Sequence, residues 1–159
     1  MVQRVGIGHD THRLAQGGPL LLGGIEIPHE KHAVGHSDAD VLLHAVIDAL
    51  LGAAGLGDIG EMFPDTDALN RDRDSADMLR LAVERITQAG FAIGNLDCIV
   101  FAERPKITQY KEAVTARIAS LVGMDTCRVN LKAKTGEGIG PIGQEQAIAA
   151  QVVVLLEET

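Results

Sequence analysis

The chain has 159 residues, 46% of them hydrophobic, with 14 basic against 22 acidic side chains and a formal charge of −8. That length and composition suit one domain with its own core and exclude a disordered chain. The acidic balance argues against a nucleic-acid partner, which needs a basic patch, and no run of 18 apolar residues exists to cross a membrane.

Val2–His9 alternates and reads as a strand, entered at once from the N-terminus, so a signal or transit peptide is absent or already removed. Leu20–Ile27 reads as two short strands around the Gly23-Gly24 turn, stopped by Pro28. Ser37 is the expected N-cap of a helix running to about Ala54, apolar on most sides and therefore buried. Glycines 52, 55, 57 and 60 break it, and Gly57–Asp67 reads as an irregular acidic loop, continued by charged residues to Asp74. Ser75 is expected to cap a second helix to about Ala89, ended by Gly90. Asn95–Glu103 reads as a strand, Thr108 as the start of a third helix ended by Gly123, and Cys127–Lys134 and Ala147–Glu157 as two more strands. The two cysteines, Cys98 and Cys127, fall in these β-like runs and are expected to be buried thiols in a reducing compartment. Mixed strands and helices point to an α+β architecture, a sheet with helices on one face.

Three residues carry the spacing of a metal site. Asp10 and His12 are two apart, so on an extended segment both leave one face. His44 lies in the apolar helical run, on the same side as Asp40 and Asp48, four residues away in either direction. Two imidazoles and a carboxylate suit Zn²⁺ with one position open, the catalytic pattern. Asp40 or Asp48 is expected to orient His44 from behind. The competing view is that these are unrelated surface polar residues. Gly138, Gly140 and Gly143 match a dinucleotide-binding pattern, but the segment after them is β-rich and the chain ends too soon for the acidic partner. A flexible connecting loop is the better account. His9, His29 and His32 have no expected role beyond surface or packing.

The motifs Gly8-His9-Asp10-Thr11-His12, Leu22–Pro28, His36–Ala45, Asp48–Ala54, Leu56–Gly60, Phe63–Asp67, Arg104-Pro105-Lys106 and Lys134–Glu137 occur in order over nearly the whole chain. With them the chain resembles the 2-C-methyl-D-erythritol 2,4-cyclodiphosphate synthase family of the non-mevalonate isoprenoid pathway. The resemblance implies one domain over residues 1–159, a mixed sheet with helices on one face, and a three-fold homotrimer with active sites between adjacent subunits. It implies a zinc ion on Asp10, His12 and His44, and Mg²⁺ or Mn²⁺ near Glu137 on the substrate diphosphate. The implied substrate is 4-diphosphocytidyl-2-C-methyl-D-erythritol 2-phosphate, whose 2-phosphate attacks the β-phosphorus, releasing CMP and leaving a cyclic diphosphate. His36 and Thr135 would steady the transition state. Asp58, Ile59, Gly60, Phe63, Pro64, Asp65, Thr66 and Asp67 would hold the methylerythritol, and Asp10, His12, His36 and Ser37 would also bind the substrate. Ala102, Glu103, Arg104, Pro105, Lys106, Ile107 and Thr108 would form the cytosine pocket, with Lys134, Thr135, Gly136 and Glu137 beside the phosphates. The bland alternative for Asp58, Asp65 and Asp67 is ordinary loop acids, since such loops favour Asp, and for Lys106 a surface cation. A bacterial cytoplasmic location is implied, or a plastid one if a transit peptide has been removed.

One departure stands out. Where the family carries an arginine and a glutamate near the trimer axis, this chain has Gln144 and Gln146, with Pro141 at a position often aromatic. A neutral pair lacks the charge-assisted bonds that hold phosphate, so weak binding of isoprenoid diphosphates in the central cavity is expected. Two rival functions use the same triad: a metal phosphohydrolase with water as nucleophile, and a zinc-stabilised binding module without catalysis.

Overall fold

A computed structural model describes residues 2–159. The first strand, β1 (Gln3–Gln16), runs well past the expected His9 because a strand near the C-terminus pairs with it as far as Arg13 and the segment Lys31–Val34 pairs with it from Arg13 to Gln16. Two short strands come next, β2 (Leu20–Leu22) and β3 (Ile25–Ile27), paired around Gly23-Gly24. A further short strand, β4 (Lys31–Val34), was not legible because four residues give too little alternation to read. Helix α1 (Val41–Ala54) ends at Gly55, which takes the left-handed conformation that Cβ-bearing residues avoid. One turn of helix, α2 (Ile59–Met62), interrupts the expected loop. Helix α3 (Ser75–Gln88), β5 (Phe91–Phe101), α4 (Lys111–Val122), β6 (Val129–Lys134), a helical turn α5 (Gly140–Gly143) and β7 (Ala147–Glu158) complete the chain.

Two caps differ from expectation. Asp40, not Ser37, caps α1, because its Oδ1 reaches the Leu43 N–H at 3.1 Å. Asp74 caps α3 through the Ala76 N–H, which makes Ser75 the first helical residue. The third helix begins at Lys111, after a 3₁₀ turn over Ile107–Tyr110. Cys127 lies in another 3₁₀ turn, Thr126–Arg128, ahead of β6 and is exposed; only Cys98 is the buried thiol expected.

The main sheet has the order β4-β1-β7-β5-β6, with β5–β6 parallel and the other pairs antiparallel. The helices lie on one face. Every residue of α1 except Asp48 and Gly52 is buried. Its seat on β1 depends on two glycines: a Cβ at Gly6 would lie 2.0 Å from the Ala49 oxygen, and one at Gly8 1.9 Å from the Ala45 oxygen. The absence of side chains there, together with Ala45 and Ala49 opposite, lets helix and strand backbones approach closely. Among the described residues no helix covers the opposite face. Val5 (70% exposed), Ile7 (63%) and Val153 (41%) form an apolar stripe on it, adjacent by strand register.

Candidate metal centre and active-site cleft

Alternation along β1 turns Gly6, Gly8, Asp10, His12 and Leu14 toward the helices and Ile7, His9, Thr11 and Arg13 away. The close seat of Ala45 on Gly8 brings His44, one residue earlier on α1, against Asp10 and His12. The Asp10 Oδ2 is 2.9 Å from His12 Nε2 and 3.0 Å from His44 Nδ1, and the two nitrogens are 3.2 Å apart. Three ligand atoms of the types that bind a divalent ion therefore converge on one point.

The surroundings fix their states. His12 Nδ1 donates to the Val34 carbonyl at 3.0 Å, so its Nε2 presents a lone pair to the cluster in the neutral ring. Burial pushes the Asp10 carboxyl up, but the hydrogen bonds and charges of His12 and His44 together outweigh it and hold the carboxyl well below the usual range. Burial pulls the His12 imidazole down, and Asp10 more than reverses that, so its net shift is upward. An ionised carboxylate between two imidazoles is a donor set that fits a divalent cation, with a side left open toward solvent.

The expected supports of His44 are corrected. Asp40 is buried and spends its oxygens on the Gly23, Gly24 and Leu43 N–H groups. Asp48 accepts from the Ile59 N–H at 2.8 Å, which ties α2 to α1. Burial raises the carboxyl of each. What faces His44 Nε2 instead is Ser75 Oγ at 2.8 Å and Ser37 Oγ at 3.0 Å. Ser75 carried no sequence signal beyond its helix-start position.

Above the cluster lies a cleft of about 170 Å³ lined by His12, His36, Ser37, His44, Ile59, Gly60, Phe63 and Asp65, all singled out from sequence. Asn70 and Met78 complete its wall and were not anticipated. Asp58 and Asp67 do structural work, capping α2 through Glu61 N–H and a 3₁₀ turn through Leu69 N–H. Pro64 holds the Asn70 side-chain amide through its carbonyl; Pro64 and Thr66 do not line the cleft.

The second group of expected residues comes together elsewhere. Ala102 N–H donates to the Lys134 carbonyl and Gly136 N–H to Glu103, so the 102–108 and 134–137 segments form one unit. Thr135 Oγ1 accepts from the Glu137 N–H at 3.3 Å, and Glu137 holds a positive φ of 52°. Arg104, Pro105 and Lys106 line a separate cleft with His29 and Glu30, while Ile107 is buried and Thr108 lies in the 3₁₀ turn. Thr11, Ala149, Phe101 and Lys134 share one row across the sheet. Three strand spacings then separate Thr11 from Lys134 by about 14 Å within one chain. Gln144 donates to the Gly138 carbonyl at 2.6 Å, in the turn ahead of β7.

A sequence profile of the YgbB family matches residues 3–157. The chain belongs to the YgbB family. A family member from Gemmatimonas aurantiaca, a 2-C-methyl-D-erythritol 2,4-cyclodiphosphate synthase, is 53% identical over 148 residues, covering 93% of this chain and 89% of its own. A 2C-methyl-D-erythritol-2,4-cyclodiphosphate synthase solved in a CDP-bound form superposes with a TM-score of 0.90 at 38% identity, over 97% of this chain and 100% of that one. The bifunctional IspDF of Campylobacter jejuni gives a TM-score of 0.95 at 39% identity, over 99% of this YgbB chain, which spans only 43% of the bifunctional one. Among the described residues no helix is long and apolar enough to cross a membrane.

Proposed function

We propose that this YgbB-family chain converts 4-diphosphocytidyl-2-C-methyl-D-erythritol 2-phosphate to 2-C-methyl-D-erythritol 2,4-cyclodiphosphate with release of CMP. It acts as a phosphorus–oxygen lyase of isoprenoid precursor synthesis. The observation that carries this reading is the Asp10–His12–His44 cluster on the floor of a cleft walled by His36, Ser37, Ile59, Gly60, Phe63 and Asp65.

Phosphoryl transfer asks for alignment and charge neutralisation more than for covalent help. The nucleophile is part of the substrate, so the chain has to fold the substrate into an in-line geometry. Asp10 Oδ2, His12 Nε2 and His44 Nδ1 would hold zinc, and Glu137 would serve Mg²⁺ or Mn²⁺; when bound, these ions would supply neutralising charge for phosphate oxygens. That matters in a chain of charge −8. The three ligands keep their lone pairs directed at one point, His12 through its bond to Val34. His36, exposed at the cleft, and Thr135 would act as donors to developing charge on the phosphates. The 102–108 segment offers backbone groups and Lys106 to the cytidine end.

Thr11, between Asp10 and His12, and Lys134 are about 14 Å apart within one chain by strand spacing, which supports a site completed between subunits of a homotrimer. The stripe of Val5, Ile7 and Val153 on the helix-free face supports that assembly. A cytoplasmic enzyme fits the substrate. The deciding experiment incubates the pure protein with the cytidine diphosphate substrate, Zn²⁺ and Mg²⁺. CMP with a cyclic diphosphate is the expected pair. Inorganic phosphate or a linear product favours the hydrolase, and unfolding on chelation without turnover favours a structural zinc module.

A further inference from the structure

A neutral imidazole carries one proton, so a ring that gives Nδ1 to a metal ion must carry that proton on Nε2 and needs an acceptor there. Ser75 Oγ lies 2.8 Å from His44 Nε2, and Ser75 is fully buried. A serine hydroxyl can donate or accept, and here Asp38 decides which. The Ser75 hydroxyl donates to Asp38 Oδ1, the Ser75 backbone N–H donates to Asp38 Oδ2 at 2.9 Å, and the Asp40 N–H adds a third bond at 3.2 Å. A carboxylate only accepts, so the Ser75 proton points away from His44 and its lone pair points toward Nε2.

We infer that Ser75, held by Asp38, is a positioning residue that fixes His44 as the Nε2–H tautomer and leaves the Nδ1 lone pair for the metal ion. Ser37 Oγ, 3.0 Å from Nε2, also receives the Ala39 N–H and is the secondary acceptor. The same clamp joins the loop before α1 to the start of α3: Asp38 N–H donates to the Arg73 carbonyl and Asp72 N–H to the His36 carbonyl. The segment bearing His36 and Ser37 is thereby set in place together with His44. This inference rests on the zinc reading above.

The test is zinc affinity, measured by competition with a chromogenic chelator on the full-length protein. In Asp38→Asn the amide NH₂ must oppose one of two fixed backbone donors, and the shorter bond, from Ser75 N–H at 2.9 Å against Asp40 N–H at 3.2 Å, keeps the amide oxygen on the Ser75 N–H. The amide NH₂ then faces Ser75 Oγ, turns the hydroxyl toward His44, and opposes the Nε2 proton. Affinity is expected to fall roughly 10–100-fold. Adding Ser75→Ala removes the misdirected hydroxyl, and Asp38→Asn/Ser75→Ala is expected to regain most of the loss, with Ser37 as acceptor. A merely structural role for Asp38 predicts that the second change makes matters worse. A second pair covers the case in which Asp38→Asn does not fold. Ser37→Ala and Ser75→Ala singly should cost only a few-fold, and together roughly tenfold or more. Asp38→Asn affinity within about threefold of the native protein, absence of rescue, or a serine double change no worse than the singles overturns the inference. Failure of the native protein to bind zinc would instead refute the metal reading itself.

Discussion

Asp40 is the test of how α1, and with it His44, is held. Its side chain is 1% exposed and accepts from Gly23 N–H at 2.9 Å, Gly24 N–H at 2.7 Å and Leu43 N–H at 3.1 Å. It thus joins the β2–β3 turn to the first turn of α1. Asp40→Ala removes the cap, which alone is worth about 1 kcal/mol. It also strands the Gly23 and Gly24 donors, and an unsatisfied buried group costs about 1–3 kcal/mol. Relief from burying a carboxylate offsets part of the sum. The expected net loss is about 3 kcal/mol, or a melting temperature lower by about 6–12 °C for a domain of this size. Asp40→Asn keeps one acceptor oxygen and should lose about half as much. Burial raises the Asp40 carboxyl in the folded protein above its ordinary 3.8. The folded state then binds the extra proton, so native stability relative to Asp40→Asn falls as pH rises from 3.8 through the raised value. The assay is urea unfolding followed by circular dichroism at fixed protein concentration, between about pH 3.5 and 7. A loss below about 1 kcal/mol for Asp40→Ala would show that water or a neighbouring group satisfies the two turn amides, and would refute the argument.

Three further outcomes are expected. Glu137→Gln should lower turnover at least about tenfold while leaving zinc content unchanged, because Glu137 is not among the side chains that converge on the triad in its own chain; equal activity across magnesium concentrations would remove it from the mechanism. Ile7→Glu, a charge placed in the helix-free stripe where Ile7 is 63% exposed, should give monomer mass by light scattering and lose activity, with zinc still bound; an intact, active trimer would move the interface elsewhere. Burial pushes the Cys98 thiol up to about 12, whereas Cys127 is exposed, so a disulfide reagent at about pH 8 should modify Cys127 in the native protein and Cys98 only after denaturation; rapid modification of both would contradict the placement of Cys98 in the core.

The sequence alone determined the candidate metal triad because its geometry is written in local periods. Asp10 and His12 share a face at a spacing of two, and His44 sits in a helix whose apolar content announces its burial. The ordered motifs carried the family, and the Gly55, Gly90 and Gly123 stops were legible for the same local reason, the ease with which glycine takes a positive φ. Tertiary structure decided the rest. Whether Ser37 or Asp40 caps α1 depends on the Gly23-Gly24 turn, which arrives from another part of the chain and claims the Asp40 carboxylate. For the same reason Asp40 and Asp48 were misread as partners of His44: a spacing of four places them on its side of the helix, but their oxygens answer to Gly23, Gly24 and Ile59. Ser75, 31 residues from His44, meets it only because α3 packs on α1. The length of β1 was fixed by β7, more than a hundred residues away, as far as Arg13 and by β4 from there to Gln16, and β4 and α5 are too short to show a period. Local pattern encodes which face a side chain takes, while the partner it meets there is set by chain segments that no short window contains.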